Sequence, residues 1–370
     1  MLAESMSEES LKDVPLDKLA EMPPNTVEPE IAIRRALESD AKVSKLKREL
    51  LLERSQRRQL QQDVELLLAQ SEVMDALTTT VPESYATYAP PEEAYSGGDA
   101  AAIFVLTDWH YEEQVDPSTV NNLNAFSPEI AKKRLECVTQ RFLTLLDSVR
   151  SLSNIKQIVI PVLGDLITGH LHDDQKESNH MFPTEALLEV RDQLHAVIDT
   201  VAKESGIQEI DIYTSNGNHG RTVPKPRVST AYKTSYEWLL YRWMEKDYRN
   251  SHIRWHVSNS YFNMAHVCGK TLRFHHGDSI KYNGGVGGIT IPVLKAIRNW
   301  DDGLKSDLDF FGHWHQFMWH PKFVACNCLI GYSAYAQMRV KAPFSLPSQT
   351  FAVIDRDRPG AVDVREIYCD

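Results

Sequence analysis

The sequence has no apolar run long enough to span a bilayer, and its Met-Leu-Ala-Glu-Ser start lacks the basic and apolar segments of a secretory signal. It has only 5 cysteines, an odd and scattered set without the paired motifs of a zinc site, which favours reduced thiols. Cys326 and Cys328 are accordingly expected to be buried strand residues. These absences predict a cytoplasmic protein without a membrane partner.

Acidic charge is concentrated in one part of the chain. The 370 residues carry a formal net charge of −11, with 42% hydrophobic and 25% charged residues, a composition typical of globular proteins with a sizeable core. Residues 1–99 contain 11 basic and 20 acidic residues, or −9, so residues 100–370 carry 29 and 31, or −2. The larger part is nearly neutral, which neither requires nor excludes a polyanionic substrate.

The N-terminal region divides by composition. Residues 1–30 predict a flexible acidic tail, and residues 78–99, with Thr, Pro, Tyr and Gly-Gly, predict a linker. Residues 31–77 contain neither Pro nor Gly and predict a long helix. Its apolar residues follow an a/d heptad register at Val43, Leu46, Leu50, Leu60, Val64, Leu67 and Met74. This register favours a coiled coil that forms a homo-oligomer or binds a partner; the alternatives are a helix packed on the rest of the protein or a solvated arm.

Residues 100–370 alternate between strand and helix patterns and are expected to form one α/β domain. Amphipathic helices are predicted at residues 128–150, 184–204 and 229–247, and the aromatic side chains of the third are expected to fill the core. The alternation predicts a mixed sheet layered with helices. Roughly the last 45 residues again show strand patterning and are expected to complete a second sheet.

Short polar clusters follow the apolar runs of this region in a fixed order. Most come directly after a predicted strand, where ligands from neighbouring strands converge at one edge of a sheet. The clusters are Asp108-Trp109-His110, Gly164-Asp165, Asn216-Gly217-Asn218-His219, His275-His276-Gly277-Asp278 and Gly312-His313-Trp314-His315.

These residue types suit a site for two cations. A carboxylate can bridge two ions, an amide oxygen adds a ligand without charge, and imidazoles complete each shell. Two ions about 3.5–4 Å apart can polarise a phosphoryl group and share a nucleophile. Nitrogen and oxygen ligands without thiolates suit manganese, iron, zinc or nickel.

Together, the ordered motifs D-x-H, G-D, G-N-H, H-G-D and G-H-x-H resemble those of the calcineurin-like metallophosphoesterase superfamily. The resemblance implies a four-layer α/β/β/α sandwich that binds two divalent ions, with Mn²⁺ as the expected metal. It implies that one ion is held by Asp108, His110, Asp165 and His315. Asp165 would bridge to a second ion, held also by Asn218, His276 and His313. His219 would be the catalytic acid near the leaving group.

Each motif also has a purely structural interpretation. Asp108 suits a turn or helix cap, Gly164-Asp165 a strand-to-turn dipeptide, and Asn216-Gly217 a hairpin turn. Chance turns would not place the whole ligand set in this order, so the functional interpretation is preferred. His276, directly before the glycine, is the expected ligand, and His275 is expected to face the other side of its strand.

The expected reaction is phosphodiester hydrolysis, with a nuclease acting on DNA as the leading hypothesis. The pattern of G-D, G-N-H and G-H-x-H motifs is similar to that of the repair-exonuclease branch of the superfamily, although Gly220 replaces the acidic residue usual after G-N-H. The Asp-Arg pair typical of the phosphoserine/threonine phosphatases is absent after Asp165. Alternatives are a phosphatase or phosphodiesterase for a small nucleotide or phosphomonoester, and a non-catalytic interaction module. The loops at 220–227, with Arg221, Lys225 and Arg227, and at 283–288 could contact substrate phosphates or lie in solvent.

Overall fold

The computed structural model describes residues 42–64, 99–282 and 288–369. The predicted tail, the linker, both ends of the long N-terminal helix and most of the glycine loop lie outside the described residues. Residues 42–64 form helix α1, and every one of its side chains is exposed. Residues 99–282 and 288–369 belong to a second unit.

Two sheets form the centre of the second unit. The first has six strands in the order β11-β10-β1-β2-β3-β4, and the second has five in the order β5-β6-β7-β9-β8. The strands of the first sheet are β1 (Asp99–Val105), β2 (Asn154–Val162), β3 (Glu209–Thr214), β4 (Ile253–Val257), β10 (Ser348–Asp355) and β11 (Ala361–Tyr368). Those of the second are β5 (Phe262–Val267), β6 (Lys270–His275), β7 (Leu308–Phe311), β8 (Met318–His320) and β9 (Phe323–Ala325).

Helices cover the outer faces of both sheets. The covering helices are α2 (Pro128–Arg150), α4 (Pro183–Ser205), α5 (Tyr236–Asp247) and α6 (Thr290–Asp301); a short helix, α3 (Asp173–Ser178), has no buried residue. One buried cluster joins α2, α4 and α5 to the first sheet. A second fills the space between the sheets, and a third joins α6 to the second sheet. The result is the four-layer α/β/β/α sandwich that the motif resemblance implies.

Local capping explains the helix boundaries. The Ser127 side chain accepts a hydrogen bond from the Ile130 amide and Pro128 occupies the first turn, so α2 matches its predicted range. The third helix was expected from residue 229, but α5 begins only at Tyr236, after a short 3₁₀ turn at Ala231–Thr234. The Ser235 side chain caps the Trp238 amide and fixes this later start.

Two expectations about strands are wrong. The last two strands, β10 and β11, extend the first sheet rather than the second, because β10 pairs antiparallel with β1. Periodicity indicates a strand but not its partner, which is why the sequence could not predict this pairing. Cys326 and Cys328 are buried as expected, but they follow the end of β9 instead of lying within a strand.

Among the described residues, no helix is both long and apolar enough to cross a membrane.

Self-association through α1 stays a prediction. Leu50 lies in the heptad register and Leu51 lies outside it, although both side chains are exposed on the same helix, at 47% and 64%. We expect Leu50→Glu to convert an oligomer of the full chain to monomer, because a charge in the seam is costly, and Leu51→Glu to leave it assembled. Sedimentation velocity measures both; identical behaviour of the two variants would refute the coiled-coil interpretation.

Candidate metal centre

The fold brings the polar clusters of the two sheets to one edge of the sandwich. Strands β1, β2 and β3 run parallel, so the segments after their carboxyl ends, which carry Asp108, Asp165 and Asn218, lie side by side. In the second sheet β6 and β7 are also parallel. The segments that follow these two strands carry His276 and the pair His313 and His315. Every predicted ligand therefore lies just beyond a strand end.

Strained backbone conformations concentrate at this edge. Positive φ angles occur at Asp108 (52°), His110 (47°), Asp165 (49°), His313 (70°) and His315 (51°). Residues other than glycine rarely adopt this conformation, and each instance costs of order 1–3 kcal/mol unless the surroundings hold it. Five such residues, each supplying a polar side chain to the same place, indicate that the loops are shaped to orient ligands.

Two glycines allow the loops to approach the carboxylates. A Cβ atom on Gly217 would lie 2.1 Å from Asp165 Oδ1, and one on Gly312 would lie 2.2 Å from Asp108 Oδ2. Any larger residue at either position would push a carboxylate out of place. The glycines of the G-N-H and G-H-x-H motifs are therefore needed for close packing around the site.

The predicted ligands form two neighbouring groups. Asp108, His110 and His315 form one group, and Asp165, His276 and His313 form the other; within each, the ligand atoms lie within 4.8 Å of one another. Asn218 Oδ1 lies 3.2 Å from His276 Nε2, which places the amide in the second group. Asp165 also belongs to a third group with His110 and His219, so its carboxylate lies between the two sides of the site.

Hydrogen bonds orient the imidazoles so that Nε2 faces the site. His276 Nδ1 lies 2.7 Å from the Leu163 carbonyl oxygen, which can only accept, so Nδ1 carries the proton. The Thr168 hydroxyl donates to Glu113 and therefore accepts from His110 Nδ1, at 2.9 Å. In both rings Nε2 is therefore the nitrogen that faces the other ligands and would bind a cation, as is usual when an outer partner fixes the tautomer of a ligating histidine.

The charges of the cluster favour a cation at its centre. Burial alone would raise the pKa of Asp165, but the adjacent His276 and His219 outweigh it and hold the pKa well below its usual range. Burial would lower the pKa of His276, but Asp165 and Asp108 outweigh it and raise the pKa to about 10, so without an ion Nε2 carries a proton that a bound cation would displace. Burial and the neighbouring His276 lower the pKa of His313 to about 4, so this ring is a neutral nitrogen donor at pH 7.

The donor set fits two divalent ions. His110 Nε2 and His315 Nε2 face each other at 3.3 Å, and Asp108 Oδ1 lies 3.3 Å from His315 Nε2. Converging imidazole nitrogens and carboxylate oxygens, with one amide oxygen and no thiolate, are the ligands that zinc, iron, nickel and manganese accept. The order of these ligands is the one that the motif resemblance implies.

Comparison with known proteins gives only distant structural matches. No protein-family model matches the chain, and neither does any curated protein. Solved structures that match include an archaeal phosphodiesterase at 11% identity and a TM-score of 0.31, covering 72% of this chain and 99% of that one. A Vps29 from Entamoeba histolytica complexed with zinc matches at 10% identity and a TM-score of 0.29, covering 73% of this chain and 99% of that one. A predicted phosphoesterase from Streptococcus pneumoniae matches at 10% identity and a TM-score of 0.29, covering 72% of this chain and 97% of that one. Similarity at this level does not assign an activity.

His219 lies at the boundary between the two groups and the open cavity. Its amide donates to Asp165 Oδ1 at 2.7 Å, and its Nε2 lies 4.0 Å from Asp165 Oδ2. Its Nδ1 lies 3.0 Å from both the Thr168 carbonyl oxygen and Gln175 Nε2. The ring is thus held from behind, while Nε2 points toward the metal ligands. This placement suits a proton donor and is also compatible with a third imidazole ligand beside His110.

Buried polar residues that the sequence did not reveal hold the loops together. Glu237 on α5 accepts hydrogen bonds from the amides of Leu166 and Gly217, so one carboxylate joins the Asp165 loop to the Asn218 loop. Burial and the nearby Asp165 raise the pKa of Glu237 to about 8. Glu112 accepts from the amides of Thr168 and Gly169 in the same way. Isolated glutamates in helix or loop patterns carry no sequence signal for such a role.

The ligands open into a cavity of about 310 Å³. Of the three basic residues expected to contact substrate, Arg221 lines this cavity and donates to the Asn218 carbonyl oxygen, whereas Lys225 and Arg227 lie exposed outside the lining. His172 lines the cavity too. His275 lies on the other side of its strand from the ligands, stacked 5.0 Å from the Phe311 ring, and is fully buried.

Proposed function

We propose that this protein hydrolyses phosphodiester bonds with the help of two divalent metal ions, with Mn²⁺ as the working metal and nucleic acid, DNA first, as the substrate. The observation that carries the proposal is the pair of ligand groups that meet at Asp165 and open, together with His219, into one cavity. Two ions bound there would supply Lewis-acid activation of the phosphoryl group and of the attacking water.

The residues of the chain have distinct tasks in this reaction. Asp108 and Asp165 supply the negative charge that holds the cations, and the Thr168 hydroxyl and the Leu163 carbonyl oxygen orient His110 and His276. The proton on His219 Nε2 passes to the leaving oxygen as its bond to phosphorus breaks. The Thr168 carbonyl then stabilises the remaining proton on Nδ1.

Positive charge near the cavity supports an anionic, polymeric substrate. Arg221 lines the cavity, and the exposed Lys225 and Arg227 follow it on the same loop. Arg339 and Lys341 are exposed on a second segment that also contributes to the lining. Phosphates on either side of the scissile bond could pair with these groups.

The size of the cavity favours a second candidate, a phosphodiesterase or phosphatase for a small nucleotide or phosphomonoester. About 310 Å³ admits one small group and not a duplex, whose major groove alone is about 12 Å wide. A nucleic acid would therefore have to enter the cavity as a single strand, separated from its duplex. A small ester needs no such separation.

Hydrolysis by metal-stripped protein, with and without Mn²⁺ restored, tests these functions. We expect Mn²⁺-dependent cleavage of single-stranded DNA and of bis-p-nitrophenyl phosphate, and weaker cleavage of duplex DNA. Cleavage of p-nitrophenyl phosphate alone would replace the nuclease with a phosphomonoesterase. No Mn²⁺-dependent hydrolysis of any of the four would contradict the proposed function.

A further inference from the structure

Besides the metal ligands, the cavity has a large apolar lining. This part comes from Leu171, before α3, and from residues that follow β9, including Ile330, Tyr335, Val340 and Ala342. Metal coordination gives no reason for this lining, because the side chains of Leu171, Ile330, Val340 and Ala342 have no polar atom and Tyr335 has only its hydroxyl group. It lies where the organic group of a phosphoester would lie once its phosphate reached the ligands.

Exposed apolar side chains are concentrated in the same segment. Within residues 99–282 and 288–369, 14 large apolar residues are exposed, and five of them fall between residues 335 and 346. They are Tyr335, Met338, Val340, Phe344 and Leu346, exposed by 48–74%. Apolar exposure at the mouth of a cavity is typical of a binding surface, and of these five residues only Tyr335 and Val340 also line the cavity.

The charge of this segment matches an anion. Residues 329–354 contain no Asp or Glu, while Arg339 and Lys341 flank Val340. Apolar contact and positive charge are therefore combined on one short stretch beside the ligand groups. The combination suits a molecule with an anionic phosphate at one end and an apolar, planar group at the other, and it suits a polyol ester poorly.

We propose that Leu171, Tyr335 and Val340 form an apolar subsite that binds the organic group of the substrate and selects esters of aromatic, ring-sized groups over small or strongly hydrated ones. The proposal rests on the proposed function for the position of the phosphate. It goes beyond that function because it names the residues that set specificity. The cavity volume limits the group to about one ring system, whether that group belongs to a small ester or to the terminal unit of a single strand.

Binding of two phosphonates tests the subsite independently of catalysis. Phenylphosphonate and methylphosphonate carry the same anionic head and cannot be hydrolysed as esters, so they differ only in the organic group. Calorimetry on the full-length, Mn²⁺-loaded protein should give at least about tenfold tighter binding of the phenyl compound, because burying a ring removes apolar surface from water. In the double variant Tyr335→Ala/Val340→Ser this preference should fall to about twofold, with methylphosphonate binding unchanged.

Matched substitutions control for general effects on the segment. Met338→Ser and Leu346→Ser alter exposed apolar residues of the same segment that do not line the cavity, so they should retain the full preference. Equal binding of the two phosphonates by the unaltered protein, or no binding of either, would overturn the subsite. So would an equal loss of preference in all variants. A preserved phenyl preference in a protein that hydrolyses no ester would leave the subsite standing and refute the proposed function instead.

Discussion

Asp165→Asn is expected to reduce the metal content of the protein from two ions to fewer than one and to lower kcat/KM by about 1000-fold. Asp165 is 1% exposed, and its carboxylate belongs both to the group with His276 and His313 and to the group with His110 and His219. An amide of the same shape removes the negative charge that attracts both cations. It also offers one oxygen where the carboxylate offers two.

The electrostatic surroundings explain the size of this effect. His276 Nε2 lies 2.9 Å from Asp165 Oδ2, and the His219 amide donates a hydrogen bond to Asp165 Oδ1. These two contacts fix the orientation of the carboxylate. Without the carboxylate, the buried imidazoles of this side lose the charge that balances a divalent ion. The remaining carboxylate, Asp108, lies on the far side of the site with His315.

Metal analysis of purified protein, together with hydrolysis of bis-p-nitrophenyl phosphate, measures the change. Asp278→Asn is the matched control, because Asp278 also follows a glycine and lies two residues after the candidate ligand His276, but belongs to none of the three ligand groups among the described residues. It should keep both ions and most of the activity. Thermal unfolding checks that Asp165→Asn is folded, and full metal content in a folded variant would show that Asp165 does not bridge.

The convergence of the candidate ligands was predictable from the sequence because it depends on local order. Each ligand follows a strand that ends in a short polar motif, and parallel strands necessarily bring such ends together. Asp108 after β1 and Asp165 after β2 illustrate this. The choice of His276 over His275 came from the family pattern, which places the ligand directly before the glycine, and strand alternation then predicted that His275 faces the other side.

Long-range pairing and isolated supporting residues were not predictable in this way. The position of β10 beside β1 depends on a contact between residues about 250 positions apart, as in the pairing of Ile103 with Ala352. Glu237 joins two loops by accepting two amide hydrogen bonds, yet in the sequence it is one glutamate in an amphipathic helix. Likewise, Tyr335 and Val340 carry no motif, and only the closed fold places them beside the metal ligands.

His219→Ala is expected to lower turnover of esters with an alcohol leaving group by about 10²–10⁴-fold, with both metal ions retained. An alkoxide is a poor leaving group and needs a proton as its bond to phosphorus breaks. His219 is placed to supply that proton, with Nε2 toward the ligands and Nδ1 against the Thr168 carbonyl oxygen. A nitrophenolate leaves without protonation, so the same substitution should slow p-nitrophenyl esters by less than about tenfold.

This dependence on the leaving group separates a proton donor from a metal ligand. The side chain of His219 lies within ligand distance of His110 and Asp165, so a third imidazole ligand is a physical alternative to a general acid. Loss of a ligand would reduce the metal content and slow both classes of ester equally, because every substrate needs the ion. Loss of a proton donor would leave the metal content unchanged and would have little effect on the hydrolysis of the nitrophenyl ester. His172→Ala alters an exposed histidine that lines the same cavity but lies outside the ligand groups. It should change neither the metal content nor the relative rates of the two classes of ester. If His219→Ala slowed both classes alike with metal lost, His219 would be a ligand, and the proton would have to come from another group or from water.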